Sequence, residues 1–288
     1  MKALLMVGTS AGKRWVPRHK EKVLRELRPC FDALDYYEIG EMEEAAAKAV
    51  EACESYDALL IAGGDGTFNH LINAIAPLEK LPIIGYINAG TLCDVGVNFG
   101  IKGGPKKAIS IIKNGYTSPF DLVKINDSYF IYMAAIGAYS DIAYATKRTK
   151  VKRVGKVAYY EKAAVEAFKP VMVKVKITSD GKTSDVEAPF VMILNGRNVG
   201  GFKVNRDSRM DDGKVELFYS AKGWFNGLLH YFFRHKVTCL RGDRFEIEAD
   251  GQEPWCLDGE LGPSGPAKIE VLPKKLQIFC RKPRKVRK

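Results

Sequence analysis

The stretch Leu59–Ile75, LLIAGGDGTFNHLINAI, restricts the fold more than any other in this chain. Its first residues, with Tyr56–Asp57–Ala58 before them, make a strand whose apolar run never alternates with polar residues. Such a strand has no solvent face and must be covered on both sides, as in a parallel sheet flanked by helices. The run ends in Gly63, Gly64, Asp65, Gly66 and Thr67, and helical periodicity then continues from Thr67 to Ala76, where Pro77 stops it.

The rest of the first 120 residues repeats this alternation. KALLMV, LDYYEI and LPIIGYI read as strands. Between Met42 and Cys53 the residues Met42, Ala45, Ala46, Ala49, Val50 and Cys53 make one helical face, with Glu43, Glu44, Lys48 and Glu51 opposite. PKKAISIIK is a further helix, closed by Asn114–Gly115. The expectation is an α/β N-terminal domain over residues 1–121.

After Phe120 the pattern changes. FDLVKIN and DSYFIYMAAIG read as two strands joined around Asn126–Asp127. A helix is expected over GKVAYYEKAAVEAF and another over WFNGLLHYFFRH. The remainder, from VMVKVKIT to AKIEVL and LQIFC, is β-type. Residues 122–274 are therefore expected to form a mainly antiparallel domain, with the last strand and tail, 275–288, returning to the first.

Where a strand meets a helix N-terminus in an open α/β sheet, outward N–H groups favour a phosphate, and glycines let the backbone approach it. Asp65 cannot face a phosphate directly, so its presence implies a hydroxyl or Mg²⁺ between them. A second glycine turn, Gly90–Thr91, follows LPIIGYI at the same sheet edge, with Asp94 close by. Two such turns could hold a triphosphate. GTSAGKR, Gly8–Arg14, is no P-loop: it has three residues between its glycines instead of four, and Arg14 stands in the Ser/Thr position. GDGTFN carries Asn69 where the dinucleotide fingerprint needs its last glycine. Farther on, Asp258 and Glu260 in CLDGELG share a face if extended, and could divide metal holding and proton acceptance. Asp211–Asp212–Gly213 reads first as a hairpin turn, second as a metal-bound turn. His230 and His235 read as structural.

Together GGDGTFNHLINAI, GTLCD and LDGE resemble, in order and spacing, the diacylglycerol kinase catalytic domain family, and soluble bacterial lipid kinases in particular. The resemblance covers nearly the whole chain. It implies a NAD kinase/phosphofructokinase-like nucleotide-binding domain followed by a β-sandwich, and an ATP- and Mg²⁺-dependent lipid kinase. Nucleotide contacts are then expected from Gly8, Thr9, Ser10 and Gly12, from Gly63, Gly64, Asp65, Gly66, Thr67, Phe68 and Asn69, and from Gly90, Thr91 and Asp94. Asp65 would help place Mg²⁺ and the phosphates. Glu260 would accept the proton, with Asp258 as partner or rival. A structural Mg²⁺ would sit on Asp212 and the carbonyls of Arg209 and Lys214. The sequence departs from the family at Gly8–Thr9, where Asn-Pro is usual, at His70 (glutamate) and at Cys93 (asparagine).

Lysine and arginine number 45 against 34 aspartate and glutamate, a formal charge of +11. The excess gathers in the tail RKPRKVRK and in Lys147, Arg148, Lys150, Lys152 and Arg153. With a lipid substrate, the second cluster is expected to dock on an anionic membrane surface. Neither basic run has the interleaved aromatics of a nucleic-acid platform. Six cysteines without a CxxC pair, and no apolar run near 20 residues, suit a cytoplasmic enzyme associated peripherally with membrane. The resemblance also admits a homodimer. The rival readings are a NAD kinase-like enzyme and a non-catalytic relative that binds acidic membranes.

Overall fold

A computed structural model of the chain describes residues 1–9, 14–90, 93–137, 172–220, 237–251 and 253–282. Contacts divide it into two units: Met1–Phe120 with the stretch from Lys274 onward, and Asp121–Pro273.

The first unit is built on parallel strands β1 (Lys2–Gly8), β2 (Ala33–Ile39), β3 (Ala58–Gly63) and β4 (Ile83–Asn88), in the order β2-β1-β3-β4. Helices α1 (Trp15–Arg18), α2 (Lys20–Leu27), α3 (Met42–Ser55), α4 (Asp65–Ile75), α5 (Asp94–Asn98) and α6 (Gly104–Lys113) connect and cover them. Strand β3 is buried along its whole length, as its unbroken apolar run requires. Each fully buried Leu or Ile there contributes about 1.5–3 kcal/mol. Helix α3 turns Ala45, Ala49, Ala52 and Cys53 inward, the face set by their spacing. Helix α4 begins two residues before the expected start, because Gly64 in an extended conformation serves as its N-cap. In register, Val7 lies beside Ala62 and Ala62 beside Ile87, so the C-terminal ends of β1, β3 and β4 share one sheet edge.

The second unit is antiparallel. It comprises β5 (Thr117–Ile125, entering from the first unit), β6 (Ser128–Phe130), β7 (Met133–Gly137), β8 (Val173–Ser179), β9 (Lys182–Ala188), β10 (Phe190–Leu194), β11 (Asn198–Val199), β12 (Phe202–Lys203), β13 (Val215–Ser220), β14 (Val237–Gly242), β15 (Arg244–Ala249), β16 (Pro254–Leu257), β17 (Glu260–Ser264) and β18 (Ala267–Phe279). One sheet runs β14-β13-β10-β7-β16-β17, and β18, β15, β8 and β9 line up in the other. Their inner faces supply a core that includes Phe130, Val191, Leu217, Phe245, Trp255 and Ile269. The indole N–H of fully buried Trp255 donates to the Gly265 carbonyl at 3.1 Å. The expected helices over 155–168 and 224–235, with His230 and His235, lie outside the described residues.

Two expectations are corrected. DSYFIYMAAIG is not one strand: it breaks at Ile131–Tyr132, with β6 pairing β5 and β7 pairing β10 and β16. AKIEVL and LQIFC are not two strands but one, β18, whose early residues pair β15 and whose Ile278 pairs Ile84 of β4.

Candidate active site

At the shared edge of the first unit, the turns after β3 and β4 meet. A Cβ on Gly90 would lie 3.0 Å from the Gly64 Cα, and one on Gly63 would lie 2.9 Å from the Thr67 Cβ. A larger residue at either position would force its neighbour to shift, and at Gly64 and Gly90 two backbones come together without a side chain between them. The first intrahelical bond of α4 runs from the Phe68 N–H to the Gly64 carbonyl at 3.1 Å, and no side chain of the N-cap closes the helix. The N–H groups of Asp65, Gly66 and Thr67 thus form its positive end, the end that favours an anion.

Asp65 is the first residue of α4, and its carboxylate joins the two turns. Oδ2 accepts the main-chain N–H of Asp94 at 2.9 Å, and Oδ1 accepts the Tyr86 hydroxyl at 2.9 Å. The Ala89 N–H adds a further tie, to the Gly63 carbonyl at 2.8 Å. Phe68 turns its side chain away from this edge. It is fully buried against Tyr86 and Phe99, so only its backbone belongs to the turn. Asn69 accepts from Asn73 Nδ2 through its carbonyl and its side-chain oxygen. Gly8 ends β1 half-buried at the same edge, followed by Thr9; Ser10, Gly12 and Thr91 lie outside the described residues.

In the second unit Asp258 and Glu260 flank the β16–β17 turn, and their surroundings differ. Asp258 is 4% exposed, and its carboxylate accepts three consecutive main-chain N–H groups, from Ile131 (2.6 Å), Tyr132 (2.9 Å) and Met133 (3.0 Å). Ile131 and Tyr132 form the break between β6 and β7, and Met133 is the first residue of β7. From the other side, Asn195 Nδ2 donates to the Ile131 carbonyl at 2.7 Å, and the Asn195 and Gly196 N–H groups both reach the Tyr132 carbonyl. Glu260 is half-buried at the start of β17. Of the two carboxylates, Asp258 is committed to the main chain, and Glu260 is the more exposed.

The Asp211–Asp212–Gly213 turn is neutralised from within. Arg241 Nη2 donates to Asp212 Oδ2 and its Nε to Glu216 Oε1 at 3.1 Å, while the Lys214 N–H reaches Asp212 Oδ1 at 3.2 Å. Asp211 pairs with Arg209 at 3.0 Å. Burial pushes the Glu216 carboxyl above its ordinary range, outweighing the opposite pull of Arg241. The Arg241 guanidinium thus lies on Asp212, the residue expected, with the carbonyls of Arg209 and Lys214, to hold a structural Mg²⁺. Among the described residues no group of three or more His, Cys, Asp or Glu gathers to hold a metal. The membrane-docking candidates Lys147, Arg148, Lys150, Lys152 and Arg153 lie outside the described residues. No described helix is long and apolar enough to cross a membrane.

Sequence reasoning missed Tyr86, Asp121, Asn195 and Arg241. Asp121 is fully buried and accepts the Gly213 N–H at 2.7 Å. An acid inside the apolar run FDLVKIN was its one visible signal.

This pairing of a glycine-turned α/β unit with an antiparallel sandwich has known counterparts. Residues 2–125 match the diacylglycerol kinase catalytic domain, and residues 133–280 match the YegS C-terminal NAD kinase beta sandwich-like domain. A diacylglycerol kinase of Staphylococcus carnosus (strain TM300) is 29% identical, covering 98% of this chain and 95% of its own. One of Bacillus subtilis (strain 168) is 27% identical, over 98% and 97%. Two crystal structures from Bacillus anthracis str. Sterne share the fold. The first has a TM-score of 0.87 at 25% identity, covering 97% of this chain and 95% of its own. The second, titled a diacylglycerol kinase, has 0.84 at 24%, covering 97% of each. The matched domain and these relatives put the chain in the lipid-kinase class of phosphotransferases. Within that class, the chain belongs to the diacylglycerol kinase catalytic domain family.

Proposed function

We propose that the chain transfers the γ-phosphoryl group of ATP, carried as its magnesium complex, to a hydroxyl of a membrane lipid, diacylglycerol or a related lipid alcohol. The observation that supports this most directly is the close meeting of Gly64 and Gly90, with Asp65 tied across both turns. Two backbones pressed together at a helix N-terminus, with no Cβ between them, make a cradle suited to phosphates. The relatives' names supply the lipid acceptor.

In this reading the polyphosphate lies over Gly63–Thr67 and Gly90, oriented by main-chain N–H groups, while Asp65 keeps the two turns in register. The Glu260 carboxylate takes the proton of the acceptor hydroxyl. The alkoxide oxygen bonds to the γ-phosphorus as the bond to the bridging oxygen breaks, and ADP leaves. Magnesium, arriving with the nucleotide, offsets charge on the phosphate oxygens. The protein's own contribution is positioning and electrostatics, as for phosphoryl transfer generally. Asp258 shapes the turn that presents Glu260. The excess of basic residues brings the enzyme to an anionic leaflet, where each cation near the surface is worth about 1 kcal/mol.

The test is incubation with labelled ATP, Mg²⁺ and mixed micelles of several lipid alcohols, beside Glu260→Gln. A labelled lipid that disappears in the variant is expected. No labelled lipid from any alcohol, with nucleotide still bound, would refute the assignment. Unchanged vesicle pelleting after charge reversal at Lys147, Arg148, Lys150, Lys152 and Arg153 would remove the membrane-docking part.

A further inference from the structure

We infer that Tyr86 is a positioning residue of the nucleotide site: its buried hydroxyl fixes the Asp65 carboxylate and, through it, holds the turns after β3 and β4 together. The inference rests on the nucleotide reading of those turns.

Tyr86 lies in β4 opposite Ile61 of β3 and has no exposed surface. The residues beside it in β4, Gly85 and Ile87, offer its hydroxyl no side-chain partner. A phenol at such a position loses its hydration, a cost phenylalanine would avoid, unless the hydroxyl finds a partner. The partner is Asp65 Oδ1 at 2.9 Å, with the Gly63 carbonyl as a longer second acceptor at 3.3 Å. Burial, and then the Asp65 charge, push the phenol well above its ordinary pKa, so the hydroxyl keeps its proton and remains a donor at every pH of interest.

The first turn of α4 grips Tyr86 twice. Phe68, three residues after Asp65, packs its ring against the Tyr86 ring with centroids 4.5 Å apart, while Asp65 takes the hydroxyl. The other carboxylate oxygen accepts the Asp94 N–H at 2.9 Å, where α5 begins. The connection is thus continuous from β4 through Tyr86 and Asp65 to the backbone of Asp94. Its chemical use is plain. An aspartate at the rim of a phosphate cradle repels the ligand if it swings into the space the phosphates take. Held by a hydroxyl on one oxygen and an amide on the other, it stays aside and keeps the two turns at one spacing.

Tyr86→Phe removes one oxygen and leaves the ring, so the variant folds, with an apo melting temperature lowered by about 2–4 °C. Binding of the magnesium complex of adenosine β,γ-imidotriphosphate is expected to weaken about five- to tenfold, a loss typical of one hydrogen bond. KM for ATP should rise by the same factor, with kcat changed less than threefold. In the apo protein, amide exchange should quicken in peptides covering Gly64–Asn69 and Asp94–Asn98 and not elsewhere. Tyr86→Phe should add nothing in an Asp65→Ala background, where the hydroxyl has lost its carboxylate acceptor. This is read by binding or, where that variant binds nothing, by amide exchange in the wild type, the two single variants and the double variant. Nucleotide affinity within twofold of wild type for Tyr86→Phe, while Asp65→Ala binds weakly, would overturn this inference alone. Equal losses from Tyr86→Phe in both backgrounds would also overturn it, reducing Tyr86 to a packing residue. Normal nucleotide binding by a folded Asp65→Ala protein would overturn both the inference and the nucleotide reading beneath it.

Discussion

Asp258 and Tyr132 are 126 positions apart in sequence, yet the Asp258 carboxylate accepts the Tyr132 main-chain N–H at 2.9 Å, and the Tyr132 hydroxyl donates to the Asp258 carbonyl at 3.2 Å. The carboxylate does here what a neighbouring strand would otherwise do. Ile131 and Tyr132 interrupt the strand between β6 and β7, and Asp258 accepts their N–H groups together with that of Met133, where β7 begins.

Asp258→Asn should therefore damage the fold before it damages chemistry. The amide turns one acceptor into a donor facing other donors, at a cost of about 2–4 kcal/mol. Glu260→Gln, half-buried and outside that arrangement, should hold its melting temperature within about 2 °C of wild type while losing most turnover. Thermal unfolding of both variants checks this. Equal melting temperatures would show that Asp258 is not structural in the way described.

Gly90→Ala should disrupt the nucleotide turns, since its Cβ would lie 3.0 Å from the Gly64 Cα and backbone cannot yield as a side-chain tip can. Nucleotide affinity is expected to fall about tenfold or more. Gly40→Ala, where a Cβ meets nothing within 4 Å, is the control. Comparable affinities in the two variants would remove the steric argument.

Arg241 is the cation that neutralises Asp212 and Glu216. The melting temperature of the wild-type protein should be indifferent to EDTA. Arg241→Gln should lower it by several degrees, because losing one partner leaves partly buried carboxylates without compensation. Millimolar Mg²⁺ should restore part of that loss in the variant only. A wild-type protein destabilised by EDTA would contradict the arrangement.

Burial pushes the Cys256 thiol up to about 12 and the Cys280 thiol to about 11. Since the thiolate is the reacting form, both should resist a disulfide reagent at pH 8 in the native protein. The Cys239 thiol is also pushed up, by burial and Glu216, but as an exposed residue it should react before them. Serine at Cys256 or Cys280 should leave the fast titre unchanged, whereas Cys239→Ser should lower it by one.

What the sequence made legible was local. The β3–α4 handover and the α3 face are written in consecutive residues, and so is the glycine turn at Gly90. Phe68 was expected at the nucleotide because it sits inside GGDGTFN, but three residues after Asp65 a helix has carried its side chain to the core. The break at Ile131–Tyr132 left no trace, since the apolar run continues through it and its cause, Asp258, is far along the chain. Tyr86 was hidden in LPIIGYI, where a phenol and a phenylalanine look alike until the hydroxyl's partner is known. Arg241 carried no signal either. In TCLRGDR it looks like any surface cation, and only the pairing of β13 with β14, which sets Glu216 opposite Arg241, gives it a task.

Strand β18 has a consequence for how the chain is made. The first unit takes a strand from residues synthesised after the whole of the second: Ile278 pairs with Ile84, and the Cys280 N–H reaches the Tyr116 carbonyl at 3.0 Å. On the ribosome, Asp121–Pro273 has all its strands before the first unit has its last one. Strand β4, translated early, is thus among the last to complete its pairing. Until then the free edge of β4 is an unpaired template, the kind of exposed strand that aggregates or recruits chaperones.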